Sequence, residues 1–169
     1  MENRKTKLIV FTSLFSAIVC LTTFIIKIPT MNGYIHIGDS MIYIASNILP
    51  FPFGMIAGGI GGAFSDMLGG YWIYVIPTFI VKNLNGLCFY ILKTRKYKII
   101  SIRGVIAGLL SSLVTVVGYF FVNALIFDFK YAIVATPAEI TQGVGAFIVF
   151  VIVGLALDRS EIVKRIKFN

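Results

Sequence analysis

"LIVFTSLFSAIVCLTTFII", residues 8 to 26, runs for nineteen residues without a charge, and its reading decides the class of fold. As a helix rising 1.5 Å per residue it reaches ~28 Å, close to the ~30 Å of hydrocarbon that a membrane span must cross. Arg4, Lys5 and Lys7 precede it, as basic residues precede the apolar part of a signal peptide. "KIPTMNG" follows, however, rather than a small-x-small cleavage pattern, so the segment is read as a retained helix.

The rest of the chain has the same character. Of its 169 residues 58% are hydrophobic and 13% charged, with a mean hydropathy of +0.93; soluble domains usually approach a quarter charged. The expected architecture is an all-α membrane protein, a compact bundle of six transmembrane helices at about 8–26, 39–49, 54–68, 72–92, 104–127 and 134–157. These make a single integral membrane domain over 1–169, with no separate soluble domain. Pro50 and Pro52 in "LPFPFG" mark a tight turn between helices 2 and 3. Both helices are shorter than a full crossing, so the others must enclose them, because peptide groups left unpaired in lipid are costly. The 28–38 loop is expected to fold back over the outer end.

The formal net charge is +8, but its placement points away from nucleic acid. Lys93, Arg95, Lys96, Lys98 and Arg103 fill one connection, and Arg159, Lys164, Arg165 and Lys167 the tail. With the N-terminal group that is twelve of fifteen basic residues in three segments. An even number of spans puts all three, and both termini, in the cytoplasm. Cys20 and Cys88 sit inside apolar runs with no Cys-x-x-Cys or Cys/His cluster, so no disulfide framework or metal site is expected.

Gly54, Gly58 and Gly62 recur every fourth residue and share a face of helix 3 that Asp66 continues. Such rows let helix backbones approach closely in lipid; a phosphate loop would need Gly-Lys-Ser/Thr where this run ends in Ala63 and Phe64. On helix 1, Ser13 and Ala17 make a small pair that Ser16 and Cys20 widen, suited to packing within the bundle or to docking a partner helix.

An ionisable side chain within a span costs roughly 2.5–3.5 kcal/mol on insertion scales, so each must have a partner or a use. Lys82 lies ten residues into helix 4, ~15 Å from its outer end. Glu139 and Gln142 share a face near the outer end of helix 6, and Asn123 is about one turn from that of helix 5. Asp66 lies just below the outer end of helix 3, and His36 and Asp39 flank the start of helix 2. The inner halves of helices 5 and 6, "VIAGLLSSLVTVV" and "AFIVFVIVGLAL", offer nothing stronger than hydroxyls. A pore needs polar groups through the full thickness; polarity confined to the outer half suits an outward-facing ligand cup. "GYIHIGDSMIYIAS", residues 33 to 46, then becomes its wall or lid. The candidate ligand-binding residues are Lys82, Glu139, Asn123, Gln142, Asp66, Tyr34, His36 and Asp39. Structural alternatives stand beside them: Lys82 paired with Asp66 to hold helices 3 and 4, His36 as a hydrogen-bonder within its loop. Tyr71, Trp72 and Tyr74 suit an interfacial belt or a stacking platform.

"IKIPT…GYIHIGD" (26–39), "LPFPFGMIAGGIGGAFSDMLGGY" (49–71) and "PTFIVKNLNGL" (77–87) resemble the substrate-binding S components of energy-coupling factor (ECF) vitamin transporters, in the riboflavin-type group that includes hydroxymethylpyrimidine and pyridoxine carriers. The likeness is strongest over helices 1 to 4 and continues through "TPAEITQG" at 136–143. It implies a six-helix protein of the bacterial cell membrane, without enzymatic activity or cofactor, that captures a vitamin or vitamin precursor from outside. It also implies docking on a membrane-embedded T component driven by two cytoplasmic ATPases, and a bundle that topples to release ligand inside. Members typically show Ala-x-x-x-Ala on helix 1, which places Ser13 and Ala17 at the T-component contact. Many members read Pro-x-Asn-x-x-Gln on helix 6, where this chain has Pro137, Glu139 and Gln142. A carboxylate in place of the amide favours a donor-rich or cationic ligand, with Glu139 accepting from ring amino or hydroxyl groups and Lys82 donating to oxygen. Other classes remain open on the residues alone: a solitary facilitator, an intramembrane enzyme using Asp66, His36 or Glu139 on a lipid, or an assembly protein. No Gly-x-Ser-x-Gly, His-Glu-x-x-His or phosphate loop accompanies the enzymatic reading.

Overall fold

The computed structural model describes residues 2–30, 33–92, 94, 98–161 and 163, with the side chains of residues 2, 3, 29, 30, 33 and 34 outside that description. Helix α1 spans Glu2–Phe24. A two-stranded antiparallel hairpin follows, β1 Lys27–Thr30 and β2 Gly33–His36, with Lys27 opposite His36 and Ile28 opposite Ile35. The sequence reading treats this stretch as loop. It is a hairpin whose two strands are both edges, a position in which proline is tolerated within a sheet.

Helix α2, Gly38–Ile48, is only eleven residues, and all of them except Met41 are buried. At ~16 Å it is too short to cross a bilayer, and it is packed instead against α1, α3 (Phe53–Gly69), α4 (Val75–Ile91) and α6 (Phe129–Ser160). Its enclosure resolves the problem of a short helix with polar ends in lipid. The α2–α3 turn is pinned by Tyr90, whose hydroxyl donates to the Leu49 carbonyl at 3.1 Å and accepts from the Gly54 N–H at 2.9 Å.

The glycines of α3 set its distance from three neighbours. A Cβ at Gly58 would meet the Ile42 side chain of α2 at 2.6 Å, and one at Gly61 would meet the Ser16 carbonyl of α1 at 2.5 Å. A Cβ at Gly62 would press on Lys82 Cγ and Thr78 Cγ2 of α4 at 3.0 Å each. Gly70, at φ 78°, ends the helix in the left-handed region that glycine occupies without strain. A 3-10 turn, Trp72–Tyr74, leads into α4.

Helix α5, Ile102–Ile126, starts where the Ser101 hydroxyl accepts from the Gly104 N–H. Helix α6 begins five residues earlier than periodicity suggests, because Asp128 caps it through Tyr131 N–H at 2.7 Å. Its 32 residues carry Pro137 internally. Helices α1, α5, α6 and the segment Trp72–Ile91 are each long and apolar enough to cross a membrane. Their outward faces carry large apolar side chains, among them Ile76 and Leu125 at 72% and 85% exposure. Extensive apolar surface of this kind marks contact with lipid rather than water.

Candidate functional site

The polar side chains converge on Asp39. It occupies the first turn of α2, is 0% exposed, and receives the Lys82 ammonium from α4 at 2.7 Å through Oδ1. Its other oxygen accepts from Gln142 Nε2 of α6 at 3.2 Å and from the Thr115 hydroxyl of α5 at 3.4 Å. Thr115 in turn accepts from Asn85 Nδ2 at 2.8 Å, and Ser111, one turn away on α5, donates to the Asn85 carbonyl at 2.7 Å. Four helices thus meet at one carboxylate. A buried ammonium and carboxylate are tolerable only when paired; the pair is made here, and Gln142 and Thr115 further hydrogen-bond the carboxylate.

This arrangement corrects the structural alternative in which Lys82 pairs with Asp66: its ion pair is with Asp39 of α2. Gly62 leaves room for its aliphatic stem, and its nitrogen lies 5.0 Å from the centre of the Tyr119 ring, a favourable placement of a cation over a π face. Asp66 is buried in the last part of α3, on the row that runs through Gly54, Gly58 and Gly62.

Toward the hairpin end the network becomes aromatic. Thr78 and Tyr119 share a hydrogen bond at 2.9 Å, and Tyr74 donates to Asn123 Oδ1 at 2.8 Å. Tyr74, Phe127 and Tyr131 form a chain of tilted rings, the last two with centroids 4.3 Å apart. Of the three aromatic residues expected at the interface, Trp72 is exposed while Tyr74 turns inward to Asn123. Glu139 is half-buried one turn from Gln142, within electrostatic reach of Lys82 and Asp39. Because α6 starts at Phe129, Gln142 lies ~20 Å along it rather than near its outer end.

The hairpin bears on the same end: β2 packs against α6, and α2 follows it directly. His36 is buried, and its Nδ1 accepts the Gly38 N–H at 3.2 Å. Burial lowers its pKa to about 4, the neighbouring Asp39 charge opposing and the Lys82 charge reinforcing that shift. It is therefore a neutral acceptor at physiological pH. The Tyr34 side chain lies outside the described residues.

Toward the opposite end the column is floored by Tyr43, Phe89 and Phe150, whose centroids are 5.5 to 5.7 Å apart. Tyr43 reaches Ser112 at 3.4 Å, and Ser112 donates to the Gly143 carbonyl at 3.0 Å. The packed rings end the polar column. On α1, Ser13 and Ala17 are exposed. Ser16, read as part of the same strip, is instead buried, its carbonyl facing Gly61 of α3.

Sequence reasoning missed Thr115, Asn85, Tyr119 and Thr78. The signal was present as spacing: Ser111, Thr115, Tyr119 and Asn123 recur every fourth residue on α5 and all four are buried. Singly, hydroxyl residues in a span read as ordinary packing.

A family model for the S component of ECF-type riboflavin transporters matches residues 3–159, which takes in every element of the site. A Pyrococcus woesei protein described as an uncharacterized protein in a gap 3' region is 28% identical over 135 residues, covering 78% of this chain and 88% of its own length. An enclosed polar centre in an apolar bundle, bearing the family's pattern from end to end, is accounted for by one assignment: the chain belongs to the ECF-type riboflavin transporter S-component family and is a substrate-binding, multi-pass membrane subunit of a transporter.

Proposed function

We propose that the chain captures a vitamin-type heterocycle at the hairpin end of the bundle, in the class of hydroxymethylpyrimidine, pyridoxine or a riboflavin-like ring. The observation that carries this reading is the convergence of Lys82, Gln142 and Thr115 on Asp39, in a column open to aromatic side chains on one side and floored by packed rings on the other. Pockets for small ligands combine mostly apolar and aromatic walls with a few placed polar groups. Tyr74, Tyr119 and Phe127 supply flat surfaces for a ring, Glu139 accepts from its amino or hydroxyl groups, and Lys82 donates to an oxygen.

The hairpin end faces outside in this reading and both termini face the cytoplasm of a bacterium, with residues 1–169 acting as one membrane domain. The exposed Ser13 and Ala17 face of α1 docks a T component, and two cytoplasmic ATPases drive delivery. Support comes from the family assignment and from α1 burying Ser16 and Val19 while leaving Ser13 and Ala17 outward.

Purification in detergent, followed by mass spectrometry of whatever small molecule travels with the protein, tests the ligand. A stoichiometric heterocycle that is lost in Glu139→Ala supports the reading; an empty protein indifferent to pyrimidines, pyridines and flavins overturns it. Uptake in cells lacking the ATPases would instead indicate a solitary facilitator.

A further inference from the structure

Lys82 is 1% exposed, and an ammonium carries three N–H donors. Asp39 Oδ1 balances its charge at 2.7 Å and occupies one donor. Among the described residues no hydrogen-bond acceptor takes the others. Asn85, three residues further along the same face of α4, shows the opposite vacancy. Its Nδ2 donates to Thr115, but its Oδ1 receives no hydrogen from the described residues although the side chain is 0% exposed. Buried polar atoms without partners are rare in folded proteins and point to an occupant.

We infer that Lys82 and Asn85 together form a slot for a ligand group that both accepts and donates, a neutral hydroxyl or an amide-like unit, and that Asp39 makes this slot reject anions. The inference rests on the small-molecule reading above and sharpens it. A hydroxyl accepts from Lys82 and donates to Asn85 Oδ1, filling both vacancies. A carboxylate or phosphate only accepts. It would find the ammonium already neutralised, Asp39 in contact with that ammonium, and an Asn85 oxygen to which it offers no hydrogen. Glu139 adds a further carboxyl group within electrostatic reach. The other cations at this end among the described residues are Lys27, 4.5 Å from the centre of the Phe24 ring, and Lys130, exposed on the first turn of α6. Asp39 is thus a specificity-determining residue even though its own oxygens are filled by Lys82, Gln142 and Thr115.

The test measures, on the full chain in detergent, affinity for riboflavin, pyridoxine and hydroxymethylpyrimidine beside that for their phosphate monoesters. Wild type is expected to bind the neutral partner of its cognate pair about 100-fold more tightly, since a site with buried polar vacancies penalises a group that leaves them unmet. Asp39→Asn frees the Lys82 charge and is expected to move the ratio at least about 10-fold toward the phosphate. A wild-type ratio near one, or one unchanged in Asp39→Asn, would overturn the inference. Where that variant yields no folded protein, Asp39→Asn/Lys82→Met removes both charges together; it should weaken neutral-ligand binding about 10-fold through lost donors, and unchanged affinity would refute the slot. If none of the three vitamins binds, the vitamin reading fails on its own. The slot is then tested by thermal stabilisation with pyridine- and pyrimidine-methanols against the matching carboxylic acids. Stabilisation by the alcohols alone supports it, whereas stabilisation by the acids, or by neither series, rejects it.

Discussion

Two carboxylates anchor opposite ends of the bundle, and different chemistry holds them. Asp158, near the end of α6, accepts the backbone N–H groups of Ile99 at 2.7 Å and Ile100 at 2.9 Å, while Asn47 of α2 donates to the Ile99 carbonyl at 3.1 Å. Among the described residues, the hydrogen-bond partners of that carboxylate are main chain. Asp39, toward the other end, is held among the described residues by side chains from three helices, one side chain being a cation. Backbone donors are fixed by the fold, whereas side-chain donors can be redirected to a ligand. The comparison teaches where the molecule is braced and where it is adaptable.

The sharpest way to break it is to remove one charge of the buried pair. Lys82→Met should destabilise the ligand-free protein by about 3–5 kcal/mol, because Asp39 is left charged and uncompensated; a thermal or denaturant midpoint measured beside Asp39→Asn/Lys82→Met, which should recover most of the loss, checks it.

Acid should come next. His36 has a folded pKa of about 4 against an ordinary value of 6.5, so between those values the unfolded chain binds the proton and the folded chain does not. Its contribution is complete above about pH 6.5 and falls as pH drops toward 4, by roughly 3 kcal/mol. His36→Gln, which keeps an acceptor, should remove this acid-dependent loss and so change the slope of the stability profile in that window; an unchanged slope would show that His36 does not titrate there.

Asp158→Ala should cost about 2 kcal/mol of stability through two lost charge-assisted hydrogen bonds, while ligand affinity stays within about threefold. A large loss of affinity would erase the distinction between braced and adaptable ends. Glu139→Gln should do the converse, lowering affinity for an amino-bearing ligand about 10-fold with little change in melting temperature. Smallest of all on ligand binding should be Ser13→Leu/Ala17→Leu, which should leave affinity unaltered and abolish co-purification with the T component. Retained co-purification would remove α1 from the docking face.

Much of the site is visible in the chain because burying a charge in an apolar bundle is costly, so Lys82, Asp39, Asp66 and Glu139 stand out singly. The connecting groups do not. Thr115 and Asn85 are small or neutral, carry no such cost, and become legible only when the every-fourth-residue row on α5 is set beside α4. The hairpin was equally faint, since Lys27–His36 is short and each strand has only one partner. The early start of α6 depended on Asp128, whose capping role shows in the Tyr131 hydrogen bond rather than in the surrounding apolar pattern.

Composition and run length by themselves determined that this is a helical membrane protein, that two of its helices are too short to stand alone in lipid, and that its polarity lies toward one end. These follow from transfer free energies that each segment obeys independently. Only the tertiary structure decided that Lys82 pairs with Asp39 rather than Asp66, and that Ser16 faces inward while Ser13 faces out. Those outcomes depend on how helices rotate and slide against one another, through contacts such as Asp39 with Gln142, 103 residues apart. Periodicity fixes which residues share a face of one helix; which face meets which is settled by packing all six together.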